Sequence, residues 1–558
     1  MRKAHPGRRH ALGRALLCAS VGITSAHVAA QTRPDPAITD PDSIVITARR
    51  QKEPLERAGI PASALSGKEV VESGTIYADR LGEHFPSVTI QPSATGNLIF
   101  IRGVGNFTLQ PNSDPAIAYV YDGVFIGRPI GTLSQLFDLD RIEVLKGPQG
   151  VLYGRNASGG SINIEPRQPV FGERSMSADV SFASDGEMHD EAAINLPISG
   201  ASAVRVAAAV SDKPAGLTGY REGPNQQSIR AQVKTRIGDG MTVRLSADYN
   251  HIGDVGMGTS YVGNYVLDRT TGSYDFIPSG LSLSEGIYSA DSQAYRQTIF
   301  LPTAGRRLDA IASKPRQDNQ FFGAHARIDS DVGIGRLTII PAWRKSTIDA
   351  VVSGSPFGYL QQDRNEQASL EARVAGSRGR IDWFAGSLVF DEIIDSHTVT
   401  DLSSFLVGLD QHYRTLSGAL FGNVTVHAAS RFRLTAGVRI TEDRKSYSSD
   451  NDTLVIACVR IVDNRPSCPT VPLFPLVENF ADVPFDTPAT SGSAQPILVD
   501  GVPTGAIVAR TISGADGQLT NRAVTWRAGG EFDAGPRSLV YATIETGYRP
   551  GGFNTAVG

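Results

Sequence analysis

Residues able to do chemistry are spread along this 558-residue chain rather than gathered. Asp138 and Asp140 stand two apart, as a paired general acid and base could. Catalytic carboxylates need not be sequence neighbours, however, and one of this pair is well placed to cap or to salt-bridge beside Arg141. The run from Gly150 to Gly160 follows an apolar strand and could cradle a phosphate. It lacks the G-x-G-x-x-G spacing, and no long helical pattern follows it. The 10 histidines show no metal-ligand spacing. HExxH, Walker-type and G-x-S-x-G signatures are missing. The chain is therefore read as no enzyme, with no cofactor and no metal site. Cys458 and Cys468 lie in a polar, Pro-rich loop; in an exported chain they predict a disulfide, with two free thiols as the alternative.

The elements that hold these residues follow from composition and period. Hydrophobic residues make up 41% of the chain, low for a helical membrane protein and ordinary for a soluble protein or a barrel with a polar inner face. No apolar run reaches the ~18 residues of a spanning helix. Residues 1–30 carry a basic start, a short apolar stretch from Ala15 to Ala26, and small residues at Val28 and Ala30. This predicts a signal peptide cut after Ala30. Without it, 48 basic residues face 57 acidic ones, a net of −9, which argues against a nucleic-acid partner. Residues 31–43 are polar with three prolines and are expected to lack structure. The β-prone segment Ile44, Val45, Ile46, Thr47, Ala48 follows; it could add as a strand to a partner's sheet edge or be a first strand of the next domain. Spacing then predicts a helix from Leu65 to Phe85, with Ser66 as N-cap and Pro86 as its end.

From 97 to 169 the chain reads as a small α+β globule. Two short strands flank a tight turn at Asp122-Gly123, a third strand runs from Arg141 to Leu145, and a last one covers Ser161 to Glu165. From Ser175 the period becomes two. Ile229, Ala231, Val233 and Thr235 alternate with Arg230, Gln232 and Lys234, and Phe432, Leu434, Ala436, Val438 and Ile440 alternate with Arg433, Thr435 and Arg439. Short turns near 199–201, 238–240, 376–379 and 427–430 contrast with long connections near 251–319 and 446–522. Compact soluble domains rarely carry such loops, whereas outer-membrane barrels do. The bridge between Cys458 and Cys468 would then restrain an external loop.

The ordered motifs Arg102-Gly103, Asp122-Gly123-Val124, Asp140-Arg141-Ile142-Glu143-Val144-Leu145-Lys146-Gly147-Pro148, Leu152-Tyr153-Gly154-Arg155, Gly159-Gly160-Ser161 and Pro166-Arg167-Gln168-Pro169 resemble the plug domain of TonB-dependent outer-membrane receptors. Ile44 to Ala48 resembles the TonB box, and the late Tyr548-Arg549-Pro550-Gly551-Gly552-Phe553-Asn554 is similar to a barrel stretch of the same family. The resemblance implies a mainly β fold: a plug (50–169) inside an antiparallel transmembrane β-barrel (175–558), preceded by a signal peptide (1–30) and a flexible box segment (31–49). It implies a siderophore-receptor-like protein of the Gram-negative outer membrane. Its partners would be the TonB energy-transducing protein, outer-membrane lipid and a small-molecule ligand such as a ferric siderophore. It further implies that Arg102 and Arg155 seat the plug against acidic lumen groups. Ligand contact falls to Phe107, Gln110, Asn112 and Arg128 at the plug apices, with Tyr261, Tyr265 and Tyr274 lining the vestibule or anchoring at the membrane rim. The alternatives are a passive porin-like channel, a non-transporting surface binding protein and a non-functional truncated receptor.

The family barrel has about 22 strands, and the alternation supports about 14. A plug of about 115 residues has a diameter of roughly 35 Å. Fourteen strands close to only about 28 Å, against about 44 Å for 22. The expectation is a barrel lacking its C-terminal strands, either as a fragment or as a truncated product. The intact mass of the protein extracted from outer membranes tests this together with the cleavage after Ala30. A mass equal to that of 31–558 is expected if the product is truncated, and a larger one if the sequence continues.

Overall fold

The computed structural model describes residues 45–46, 53–93, 96–106, 113–128, 131–132, 136–184, 186–214, 224–254, 259–268, 270–306, 316–354, 357–401, 405–472, 480–535 and 538–553. The expected leader and cleavage site, with Ile44, Thr47, Ala48, Phe107, Gln110 and Asn112, lie outside them.

Two bodies are nested. The inner one begins with β1 (Val45–Ile46) and β2 (Glu53–Pro54), which pair antiparallel. A five-stranded sheet follows in the order β3 (Ala62–Ser66), β9 (Leu139–Lys146), β10 (Gly160–Pro166), β7 (Ile117–Tyr121), β8 (Val124–Ile126). Only the β10–β7 pair is parallel. A meander of β4 (Val88–Ser93), β5 (Gly96–Ile101) and β6 (Val104–Gly105) completes it. The core between them contains Leu81, Phe85, Ile101, Ile142, Val144, Ile162 and Ile164.

The helix expected over 65–85 is broken in two. Ser66 does cap α1 (Gly67–Glu72): its Oγ accepts from Glu69 N at 3.3 Å while the Glu69 carboxylate accepts from Ser66 N at 2.8 Å. The helix stops at Ser73 because Gly74 takes φ +65°, and only α2 (Leu81–His84) resumes it. The apolar spacing continued through the break and hid it.

Among the described residues the outer body is a fifteen-stranded sheet, close to the about 14 strands expected. Its strands are β11 (Ser175–Phe182), β12 (Met188–Ser199), β13 (Ser202–Asp212), β14 (Pro224–Ile237), β15 (Met241–Asp254), β18 (Arg316–Gln317), β19 (Asn319–Asp331), β20 (Arg336–Gly354), β21 (Phe357–Arg378), β22 (Ile381–Asp401), β23 (Phe405–Ala429), β24 (Phe432–Cys458), β27 (Ser493–Val499), β28 (Val502–Gly535) and β29 (Ser538–Glu545). All pairings in this sheet are antiparallel, and sequence neighbours are space neighbours along most of it.

The connection from β15 to β19 carries a hairpin, β16 (Gly263–Leu267) with β17 (Tyr274–Pro278), and α3 (Ala290–Ala304). The second long connection is corrected. Residues 446–458 and 506–518 are not loop but continued strand, paired from Ser446–Gln518 to Cys458–Ala506. Over 446–453 the alternation was invisible because both faces are polar: Ser449 and Asn451 are buried while Ser446, Ser448 and Asp450 face the other way. Farther along, Leu454, Ile456, Ala506 and Val508 are buried in an apolar cluster with Cys468, Val471 and Val483. The true connection holds a small hairpin, β25 (Ile461–Val462) with β26 (Arg465–Pro466), and the Cys458–Cys468 disulfide. Cys468 N donates to Gly305 O beside α3, so the two external connections touch.

Plug contacts identify the inner wall. Asp443 and Lys445 on β24 reach plug side chains, so even-numbered β24 positions face outward. On that outer face Leu434, Val438 and Ile440 are exposed, as are Leu416, Leu420, Val424 and Val426 of β23 and Val524, Trp526 and Phe532 of β28. From Leu416 to Val426 a strand rising ~3.4 Å per residue and tilted ~40° climbs about 26 Å, the height of an outer-membrane apolar band. Trp343, Phe322, Tyr249 and Trp526 sit on this outer face as an aromatic girdle would. Among the described residues no helix is long and apolar enough to cross a membrane.

Gly160 opens β10 at φ +147°, and a Cβ there would lie 2.3 Å from Leu145 O. Gly160→Ala is expected to destabilise the plug by at least ~3 kcal/mol, combining backbone strain and overpacking. Limited proteolysis of isolated outer membranes should cut the variant's plug at temperatures where the parent resists. Equal resistance would refute the argument.

Candidate functional site: the plug seated in the barrel lumen

Turns of the inner body carry charges, and strands of the outer body answer them. Asp122 tops the β7–β8 turn at φ +52°, followed by Gly123 at +80°. Its carboxylate accepts two hydrogen bonds from Arg244 of β15, both at 2.6 Å, and lies 3.0 Å from His325 Nε2 of β19. Burial alone would raise the Asp122 pKa, but Arg244 and His325 outweigh it and hold the carboxyl well below the usual range. Beside it, Tyr121 OH accepts from Arg230 of β14 at 2.7 Å.

The acid pair weighed at 138 and 140 divides the same way. Asp138 is buried and accepts from Arg205 Nε at 2.8 Å and from Arg230 Nη2 at 3.1 Å. Asp140 pairs with its neighbour Arg141. Neither carboxylate faces the other as an acid–base couple.

A third cluster sits under the plug apex. Arg155, buried, donates to Asp114 Oδ1 at 2.6 Å, approaches Asp443 of β24 at 3.8 Å, and lies over the Phe390 ring at 5.2 Å. Lys445 of β24 bonds the other Asp114 oxygen. Burial pushes Asp114 up, and Arg155 and Lys445 more than reverse the shift. Gly154, at φ +77°, leaves room for Arg439: a Cβ would fall 2.4 Å from that guanidinium. Gln149 donates to Glu545 at 3.0 Å, Thr525 donates to Gly150 O at 3.0 Å, and Asn156 N donates to Tyr548 O at 3.0 Å. The late strands and Tyr548 thus hold the plug's Gly-rich segment through both side-chain and backbone bonds.

The other sequence-picked residues fall as follows. Glu143, fully buried, accepts from Arg141 at 2.7 Å, and Asn163 bonds Tyr153 OH at 2.7 Å. Gly147 N donates to Gly159 O at 3.0 Å, with Pro148 next in the same turn and Gly160 beginning the following strand. Arg102 is a correction. It occupies the exposed β5–β6 turn at φ +52° with Gly103, and no barrel carboxylate pairs with it among the described residues. Arg128 is buried and pairs with Asp363 of β21 at 3.4 Å, so it too fastens plug to barrel. Tyr261 packs against Tyr295 of α3, whereas Tyr265 and Tyr274 stand exposed on the external hairpin. Val45 and Ile46 pair with Glu53 and Pro54, and Ile46 is fully buried with Ala58, Ile60, Leu152, Tyr153, Phe384 and Phe421.

Sequence reading missed the lumen partners themselves. It also missed an inward column of Tyr413, Tyr447 and Phe553, stacked at 4.8 and 5.3 Å. Odd-numbered positions on β23 and β24 were the available signal. The plug interior encloses a cavity of about 20 Å³ beside Asn97, Ile117 and Tyr119, room for one water and not for a chelate.

Residues 54–161 match the TonB-dependent receptor plug domain family. The chain is 24% identical to the pesticin receptor of Yersinia pestis over 421 residues, covering 73% of this chain and 57% of that one. It is 22% identical to the ferripyoverdine receptor of Pseudomonas aeruginosa over 319 residues, covering 55% and 38%. The chain thus spans less than two thirds of the length of these relatives. Its fold matches the ferric yersiniabactin uptake receptor of Yersinia pestis, with TM-score 0.65 and 16% identity over 88% of this chain and 65% of that one. It also matches the open form of the ferric-catecholate import receptor of Escherichia coli K12, with TM-score 0.60 and 17% identity over 89% and 71%.

Glu165 sits beside these clamps, paired in register with Arg141. Burial raises its carboxyl to about 7, with Arg141 opposing and Glu143 and Asp122 adding to the rise. The folded plug therefore keeps a proton that the unfolded chain releases near 4.5, so stability falls as pH rises between those values. Glu165→Gln is expected to raise the plug's melting temperature at pH 8 and leave it nearly unchanged at pH 5. A gain equal at both pH values would refute this. The Asp122 clamp, its pKa depressed, is present above about pH 4 and is lost only below that.

Proposed function

We propose that this chain, which belongs to the siderophore-receptor-like TonB-dependent receptors of the Gram-negative outer membrane, is an active transporter that imports a ferric siderophore. The observation that carries the reading is the charge-matched plug. Asp114, Asp122, Asp138 and Arg128 of the inner body each bond a buried barrel residue. A plug shifted within the lumen would leave several of these charges buried without their partners, at about 3–5 kcal/mol each, so the seated position is strongly preferred over displaced ones. A porin-like channel needs an open lumen. A plug this firmly held calls for work, and the outer membrane has no ion gradient or nucleotide to supply it.

The work enters at 44–48, the TonB box. An extended segment adds to a partner's sheet edge through main-chain bonds. The two-residue β1–β2 ladder that it leaves is short, at about 1 kcal/mol per hydrogen bond. Ile46 packs against Leu152 and Tyr153, next to Arg155 and its acidic partners, so tension on the box reaches the apex clamp along a short path. The plug is taken as 50–169 and the barrel as starting at 175. The ligand rests above the plug, within reach of the Tyr413–Tyr447–Phe553 column. The relatives support an iron chelate, since their names specify ferripyoverdine, ferric yersiniabactin and ferric catecholate.

Ile46→Pro removes the N–H that a partner strand would use. It is expected to reduce energised uptake of a radiolabelled ferric siderophore at least tenfold, to the level of a strain lacking TonB, with surface binding within twofold of the parent. Uptake at the parental rate would sink the coupling role, and uptake unaffected by loss of TonB would sink the transport reading.

A further inference from the structure

The contact between plug and wall changes character around the lumen. On β13 to β19 it is ionic: Asp138 meets Arg205 and Arg230, and Asp122 meets Arg244 and His325. On β22 and β23 it is apolar. Phe384 and Phe421, both buried, stand with ring centroids 6.3 Å apart, and Phe390 packs edge-on against Phe125 of the plug at 5.7 Å. Leu388 joins the lower group, and above it Ile394 lies in register with Tyr413. These residues occupy successive lumen-facing positions, even on β22 and odd on β23, so they form one vertical stripe. From Phe384 to Ile394, at ~3.4 Å per residue and ~40° tilt, it climbs about 26 Å.

The two ends of the stripe matter. At the bottom it meets Ile46, which is fully buried in one cluster with Leu152, Tyr153, Phe384 and Phe421. At the top it runs into the Tyr413–Tyr447–Phe553 column. One charged residue interrupts it: Glu392, whose carboxylate accepts from Asn365 of β21 at 3.0 Å, a partner on the wall itself, with Arg155 and Arg128 of the plug in electrostatic reach. The ion pairs that flank the stripe, Arg128 with Asp363 of β21 and Asp114 with Lys445 of β24, stand near its upper end.

We propose that this stripe is the seam along which the plug parts from the wall. Withdrawal of Ile46 empties the lower end of the seam. The plug then tilts away from β22 and β23, while the Asp122 and Asp138 clamps hold it against β13 to β19 as a hinge. An apolar contact opens by degrees and strands no charge, whereas each clamp that opens leaves a buried charge without its partner. The side without clamps therefore yields first. A chelate leaving the Tyr413–Tyr447–Phe553 column is already on this stripe, which continues beneath it toward the periplasmic end. The inference rests on the transport reading and deepens it by assigning the route.

The test needs neither ligand nor TonB. The full chain is purified from outer membranes in mild detergent with a single reporter thiol, Phe421→Cys on the seam or Ala207→Cys on the hinge side. Ala207 is buried against Phe137 of the plug, and the native cysteines are bridged. Each reporter is reacted with a maleimide of siderophore size, with Ile46 intact and with Ile46→Asp, which expels the box from its apolar cluster. Ile46→Asp is expected to speed the reaction of Phe421→Cys at least tenfold and to change that of Ala207→Cys less than twofold. Comparison within one reporter removes any effect of the cysteine itself. Where Ile46→Asp speeds both sites alike, the plug has come loose as a whole and the milder Ile46→Ala decides, with severalfold acceleration expected at Phe421→Cys alone. No acceleration at Phe421→Cys, or equal acceleration at both sites in Ile46→Ala, would overturn the seam. Either result leaves the transport reading intact, and TonB-independent uptake by the parent would remove that reading without altering the labelling pattern.

Discussion

A carboxylate taken out of water must find a cation, or fold without its charge. That constraint organises the inner half of this protein. The plug presents Asp114, Asp122 and Asp138 on turns, where side chains project, and the wall supplies Lys445, Arg244, Arg205 and Arg230 from strand positions that face the lumen. Such pairs are weak evidence for stability, because desolvation offsets most of their attraction. Their effect is on register. A plug rotated or lowered by one strand step would leave several charges buried and unmatched, so the seated position is the one in which they all pair.

The same logic accounts for what the residues disclosed. Glycines and turn acids at 122–123, 147 and 154–160 were legible because positive φ and close approach leave little choice of residue. The lower barrel was legible because lipid outside and water or plug inside enforce a period of two. The strand extensions at 446–458 and 506–518 were not, since from 446 to 453 both faces are polar, and beyond them Leu454, Ile456, Ala506 and Val508 pack in an apolar cluster, so the alternation is lost while the backbone ladder continues. The lumen partners Arg205, Arg230, Arg244 and His325 read only as polar-face residues. Nothing in their spacing told which would meet an aspartate from more than 60 residues earlier in the chain. Arg102, expected to seat the plug, is exposed, whereas Arg128 is buried and paired with Asp363 of the wall.

Of the two readings of the N-terminal β segment, the structure bears on the one that makes it a strand of this chain. Val45 and Ile46 form a strand within this chain, and the ladder is only two residues long. Extended geometry, once adopted, is already the geometry in which a foreign edge could be met, so the backbone would have little to reorganise on changing partners.

The length of the wall has a mechanical consequence. β24 runs for 27 residues, of which the outward apolar stretch takes up only the first third. From Glu442 to Cys458 the ladder to β28 is unbroken, and at ~3.4 Å per residue and ~40° tilt it rises about 40 Å beyond the hydrocarbon. The mouth is therefore a stiff chimney rather than a fringe of loops. A shell cross-linked along every rung resists local bending, so the wall keeps its shape well above the apolar band.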